Sequence, residues 1–135
     1  MISSTEGWAC GDAGTMLHTT NAGANWSLLT LTGSDLHQLV FKDASTGLVV
    51  GDNGTVFTTT NGGTNWVSKN SGTSLQLRGV GFAGGSTYYA VGDDGAAVKS
   101  TDDGNTYTTL NSGTTERLLV LRLSTRIFGS VQEMV

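Results

Sequence analysis

Val50-Gly51-Asp52-Asn53-Gly54-Thr55 is a tight turn between two short apolar runs, and the chain carries that turn three times. Gly11-Asp12-Ala13-Gly14, Gly51-Asp52-Asn53-Gly54 and Gly92-Asp93-Asp94-Gly95 recur at a nearly constant spacing. A second motif keeps the same register: Thr19-Thr20-Asn21-Ala22-Gly23-Ala24-Asn25-Trp26, Thr59-Thr60-Asn61-Gly62-Gly63-Thr64-Asn65-Trp66, and Ser100-Thr101-Asp102-Asp103-Gly104-Asn105-Thr106-Tyr107. A period of about 40 residues built only of strand and turn signals is the size of a four-stranded propeller blade. A helical repeat of that length needs continuous helix-forming stretches that this sequence lacks.

Outward from the turn, the strands follow from short apolar runs. In the second repeat the expected strands are Leu36 to Phe41, Gly47 to Val50, Thr55 to Thr59 and Asn65 to Ser68. In the third they are Leu77 to Phe82, Thr87 to Val91, Ala96 to Ser100 and Thr106 to Leu110. Leu48-Val49-Val50 and Tyr88-Tyr89-Ala90-Val91 are continuously apolar, as a strand covered on both faces by neighbouring blades requires. The expected fold is an all-β partial propeller with blades of four antiparallel strands. Blade 1 spans residues 7–31 and lacks an inner strand, blade 2 spans 36–70, blade 3 spans 76–111, and a partial blade 4 spans 116–135. In blade 4, Arg117 to Leu123 occupies the place of an inner strand and Ile127-Phe128 that of a second strand.

Composition agrees. The 135 residues include 20 glycines and no proline, and Thr, Ser and Asn crowd around the apolar runs, a mixture suited to short strands and tight turns. The net charge of −4, with only 7 Lys and Arg, argues against general nucleic-acid binding, because neutralising phosphates takes clustered cations. No apolar run reaches the roughly 18 residues of a membrane span, and Met1 to Glu6 lacks the basic and apolar regions of a signal peptide. Cys10, the one cysteine, has no partner for an internal disulfide.

In the turn motif, Gly11, Gly14, Gly51, Gly54, Gly92 and Gly95 supply positive φ, and Asp12, Asp52 and Asp93 are expected to bond local backbone amides. In the second motif, Thr19, Asn21, Gly23 and Trp26, with Thr59, Asn61, Gly63 and Trp66 and with Ser100, Asp102, Gly104 and Tyr107, form a hairpin. Its Asn or Asp satisfies turn amides, its Gly takes a left-handed conformation, and its aromatic returns to the core of its own blade. A Trp burying roughly 200 Å² at about 25 cal/mol/Å² is worth at most ~5 kcal/mol.

The third copy of this motif resembles the Asp-box, Ser-x-Asp-x-Gly-x-Thr-Trp, changed only at its last residue, while the first two carry Asn for Asp. Together with the Val-Gly-Asp-Asn-Gly-Thr pattern, the unit is similar to the blades of the photosystem II assembly and stability factor family, a group of seven-bladed propellers; the resemblance covers Gly7 to about Leu123. It implies a non-enzymatic assembly scaffold at a lumenal, periplasmic or extracellular site, docking a partner through arginines on one face. Asp-boxes also occur in sialidases and other glycoside hydrolases, so a glycosidase fragment is a second reading; a self-assembling lectin-like ring, closed by a second copy, is a third.

The candidate residues divide accordingly. Asp12, Asp52 and Asp93 are read as turn structure over a metal site, because a site used once need not be copied into every blade. Cys10 aligns with Val50 and Val91 and reads as a small buried hydrophobe. His18 aligns with Thr58 and Lys99 at an exposed strand position, and His37 lies in an inner strand without an identifiable partner. Arg78, Arg117, Arg122 and Arg126 are either solvated charges or a basic patch facing a protein or anionic partner. Neither a catalytic set nor a cofactor or metal motif stands out from the repeat. The expected partner is a protein, with a glycan as the alternative and neither nucleic acid nor membrane.

Overall fold

The computed structural model describes residues 5–119, 121–122 and 133–134. Strands β1 (Gly7–Cys10), β2 (Thr15–Thr19) and β3 (Ser27–Thr30) form a three-stranded sheet. Strands β4 (Leu36–Phe41), β5 (Gly47–Gly51), β6 (Thr55–Thr59) and β7 (Val67–Asn70) form a four-stranded sheet in simple sequence order. Strands β8 (Leu77–Gly84), β9 (Thr87–Gly92), β10 (Ala97–Ser100) and β11 (Thr108–Thr109) repeat that order. Every pairing is antiparallel. A short pair, β12 (Leu121–Arg122) and β13 (Glu133–Met134), follows. The expected strand Ile127-Phe128 lies outside the described residues. No described helix is long and apolar enough to cross a membrane.

The sheets stack through the strands that the sequence marks as continuously apolar. Leu48, Val49 and Val50 are wholly buried, alternately facing the sheets on either side. Val49 packs towards the first sheet with Met16, Trp8 and Cys10; Leu48 and Val50 pack towards the third with Leu77, Tyr88 and Val98. Trp8 is the hub of the first junction, stacking on His18 at 4.0 Å and on Phe41 at 5.9 Å, with Trp66 edge-on at 5.6 Å.

Each Gly-Asp-x-Gly segment is one 3-10 turn. Positive φ falls on the third and fourth residues, at Ala13 (54°), Asn53 (59°) and Asp94 (55°) and at the glycine after each, while the first glycine is extended. The first glycine serves close approach instead: a Cβ on Gly51 would lie 2.1 Å from the Asp35 carbonyl oxygen, and one on Gly92 1.7 Å from that of Gln76.

Two further expectations change. The outer strands begin later than expected, at Val67 and Thr108, because Asn65 and Thr106 are held by side-chain hydrogen bonds of the preceding motif rather than by the ladder. The motif aromatic does not pack within its own blade alone: Trp66 meets Phe41 of its own sheet at 5.9 Å but also joins the junction with the first sheet, and Tyr107 joins the junction with the second, whereas Trp26, with no sheet on that side among the described residues, stays 47% exposed. Trp26 therefore gains only part of the transfer free energy reckoned for a buried Trp.

Candidate functional site

The three hairpin motifs close by one scheme. Thr19 Oγ1 donates to Asn21 Oδ1 (2.9 Å) and accepts from the Gly23 amide (3.0 Å). Thr59 does the same with Asn61 and Gly63 at 3.0 and 2.9 Å, and Ser100 with Asp102 and Gly104 at 2.8 Å each. The Asn or Asp oxygen then accepts the amide four residues on, that of Asn25, Asn65 or Thr106. The side chains at these two positions are matched. The amide groups of Asn21 and Asn61 donate to Asn25 Oδ1 and Asn65 Oδ1, whereas the Asp102 carboxylate accepts from the Thr106 hydroxyl at 2.6 Å. That hydroxyl, with the Thr106 amide and Ser100, holds the Asp102 carboxyl down at about 2.

The turn aspartates behave differently from the expectation. Asp52 Oδ1 pairs with His37 Nε2 at 2.6 Å, and Asp93 takes Arg78 on both oxygens, Nε at 2.6 Å and a terminal nitrogen at 3.2 Å. The second residue of each inner strand thus supplies the turn with a basic partner, and the local amides are served by backbone carbonyls: Asp52 N–H donates to Asp35 O and Asp93 N–H to Gln76 O. Asp12 has no such partner among the described residues. The Arg78 hydrogen bond, reinforced by the charges of Arg78 and Arg117, lowers the Asp93 carboxyl below its ordinary range. Among the described residues no three His, Cys, Asp or Glu gather as a metal-binding group.

The arginines follow the same geometry. Arg78 is three-quarters buried at its side chain, and Arg117 reaches the same Asp93 carboxylate at 3.1 Å while 60% exposed. One carboxylate therefore holds two guanidiniums at the inner rim. Arg122 lies in β12, backbone-paired with Glu133, and Arg126 lies outside the described residues.

Other side chains depart from the sequence reading. His18 is half-buried on Trp8 with Nε2 2.7 Å from Glu6, because β1 places an indole beneath it. Burial lifts the Cys10 thiol to about 11, which keeps it protonated and unreactive at neutral pH. Three residues that sequence reasoning missed tie the blades together. Gln76 Oε1 accepts the Asn53 amide and Asp35 Oδ1 the Ala13 amide, so the residue before each inner strand caps the turn of the preceding sheet. Lys42 bridges to Gly85 O at 3.0 Å and Asp103 at 2.5 Å. The repeat alignment of Asp35 with Gln76 carries the capping signal in the sequence, whereas Arg117 at the next aligned position has no acceptor and donates to Asp93 instead.

A family model described as photosynthesis system II assembly factor YCF48 matches residues 31–118, more than half of the chain. The chain belongs to the YCF48 family. The solved structure "YCF48 bound to D1 peptide" matches with a TM-score of 0.75 at 21% identity, covering 87% of this chain and 40% of that one. The crystal structure of an ancestral GH74 enzyme matches with a TM-score of 0.66 at 20% identity, covering 79% of this chain and 17% of that one. The chain therefore spans less than half the length of either structure, and both likenesses are of fold. No curated protein sequence matches it. In this YCF48-family chain the matched region takes in the whole second and third sheets and ends just past Arg117.

Proposed function

We propose that this chain is part of a non-enzymatic docking propeller of the assembly-factor kind, which takes a segment of a protein partner at the inner rim around Arg78 and Arg117. The observation that carries this reading is the shared carboxylate: Asp93 balances one guanidinium, so the pair keeps a surplus positive charge, and Arg117 is open to solvent. Arg78, already held on both oxygens of Asp93, positions the site; Arg117 has donors to spare for a planar acceptor on the partner. The matching family model is described as an assembly factor, and the similar YCF48 structure is described as bound to D1 peptide; both support a peptide segment over a glycan. A photosynthetic setting belongs to the same proposal. Against reading Asp93 as the general acid of a glycoside hydrolase stands its pairing with Arg78, which lowers its carboxyl where that role needs a raised one.

The test is anisotropy of labelled D1 peptide titrated with the chain. Arg117→Gln is expected to weaken binding about tenfold, or ~1.4 kcal/mol, and added salt to weaken the wild type more than the variant. Equal affinity of both proteins at low salt would refute the rim as the docking site.

A further inference from the structure

His37 and Arg78 each stand out of their strand's ladder. In β4, Leu36 lies opposite Gly51 and Gln38 opposite Val50, which leaves His37 without a cross-strand partner. In β8, Leu77 lies opposite Gly92 and Gly79 opposite Val91, which leaves Arg78 in the same position. A bulge of this kind bends the strand and re-aims the side chain of the extra residue. Here it turns both side chains onto the turn carboxylate of their own sheet, His37 Nε2 at 2.6 Å from Asp52 and Arg78 Nε at 2.6 Å from Asp93. All four side chains keep about a quarter of their surface in solvent.

The two pairs form one electrostatic row. Arg78 is held chiefly by its hydrogen bond to Asp93, and the Asp52 charge acts on it as well. Gln76, two residues before Arg78, accepts the Asn53 amide and so fixes the start of β8 beside the second turn. Arg117 closes the row on Asp93 at 3.1 Å. The order is therefore His37, Asp52, Arg78, Asp93 and Arg117, basic and acidic groups in alternation. The two carboxylates balance the two guanidiniums, so the row is neutral with a neutral His37 and positive with a protonated one. Of these side-chain types only imidazole ordinarily changes charge between about pH 5 and 8. Against β4 lie β1 with the first turn, β5 with the second turn, and β8. Their titratable and charged groups are Cys10, Asp12, Asp52 and Arg78. Cys10 stays an uncharged thiol through burial, Asp12 and Asp52 bring negative charge, and Arg78 brings positive charge.

We infer that His37 is a pH-sensitive switch on the docking rim: its protonation cancels the Asp52 charge and leaves the surplus cation of Arg78 and Arg117 to a carboxylate-bearing partner segment. The switch presupposes the proposed docking at that rim. While His37 is neutral, Asp52 offsets the surplus; once His37 is protonated, the surplus is restored and an anionic segment is held more tightly. Binding therefore strengthens as the pH falls, and by linkage a bound segment draws a proton onto His37. The third sheet carries Arg78 at the same bulge, so the rim combines one fixed and one variable cation.

The test is anisotropy of labelled D1 peptide with the 135-residue chain between about pH 5.5 and 8. Wild type, His37→Gln, His37→Arg and Arg117→Gln are measured in parallel, with circular dichroism confirming that each is folded. His37→Gln subtracts the titration of the peptide itself and of His18. After that subtraction, wild type is expected to bind about fivefold more tightly at the acid end. His37→Arg, which copies the pairing of the third sheet, is expected to bind tightly across the range, and it keeps the test available if His37→Gln does not fold. Wild type is also expected to take up protons on binding near about pH 6.5, read as a buffer-dependent binding enthalpy that His37→Gln lacks. If Arg117→Gln weakens binding while wild type and His37→Gln share one pH profile, the rim stands as the docking site and the switch is refuted. A pH-dependent gain that persists in His37→Arg refutes the switch too. If Arg117→Gln binds as wild type does at every pH, the rim is not the docking site and the switch falls with it.

Discussion

Replacing Ser100 by Ala tests whether the hairpin motif is held by its buried hydroxyl. The Ser100 side chain is 1% exposed; its oxygen accepts the Gly104 amide at 2.8 Å and the Asp102 amide at 3.3 Å, and its proton goes to Asp102 Oδ1 at 2.8 Å. Alanine removes the acceptor and leaves two backbone donors without it. The Gly104 amide, in a buried residue, is the costly one, because leaving a buried N–H without a partner costs about 1–3 kcal/mol, against the roughly 1 kcal/mol of an ordinary lost hydrogen bond. The expected loss is ~2–3 kcal/mol, the upper part of that range because two donors are orphaned, or about 6–12 °C of melting temperature for a chain of this size. Ser71→Ala is the control. Ser71 is as deeply buried and shares its one proton between Gly54 O at 2.7 Å and Thr73 O at 3.1 Å, accepting only the Thr73 amide at a long 3.4 Å, so it mainly relieves carbonyls, which tolerate a missing partner better than amides do. Its expected loss is about 1 kcal/mol. Urea unfolding of both variants, followed by tryptophan fluorescence and circular dichroism with coincident transitions required, measures the difference. Equal losses would refute the idea that orphaned donors set the energetics of this hairpin.

Gly92→Ala is expected to cost at least ~3 kcal/mol or to abolish folding, since its Cβ would overlap the Gln76 carbonyl; thermal melts beside the wild type check this. Tyr107→Phe is expected to be neutral or stabilising by up to ~1 kcal/mol, because the hydroxyl is buried without a partner among the described residues and burial pushes its pKa upward; a clear stability loss would reveal a partner. Asp93, whose folded pKa is depressed chiefly by the Arg78 hydrogen bond, contributes stability that is present above its unfolded pKa of about 3.8 and is lost as pH falls through the lower folded value. Arg78→Gln is expected to move the Asp93 carboxyl carbon titration back up towards that value and to flatten the acid limb of the stability curve. Arg117→Gln is expected to move it less.

The repeat, the strand order and the hairpin chemistry are legible in the sequence because two motifs share one period and the second glycine of each turn and the glycine of each hairpin fall where positive φ is needed. The ion pairs are written there too, though less openly: His37 to Asp52 and Arg78 to Asp93 are each separated by 15 residues, so the alignment that matches the turns also matches their partners. Direction is not legible. Trp66 stands in the same motif position as Trp26, and nothing local says that such an aromatic faces the preceding sheet rather than its own; only the packed structure shows Trp66 against Trp8 and Trp26 open. His18 escapes the sequence for a related reason, because alignment with Thr58 and Lys99 reports strand position and not the indole of Trp8 beneath it.

The hairpin of one sheet sits on the sheet before it: a Cβ on Gly63 would strike Trp8, and one on Gly104 would strike Leu48 and Thr58. Shuffling of such modules is therefore constrained at the seams. Trp8 and Leu48 hold equivalent strand positions but differ in size, so a hairpin shaped to one does not automatically suit the other. Because each glycine and the side chain it clears belong to successive sheets, no cut that moves a single blade keeps such a pair together. A unit of two blades carries one matched pair inside it and leaves a new seam only at its ends. Duplication in pairs would thus preserve contacts that duplication of single blades has to rebuild.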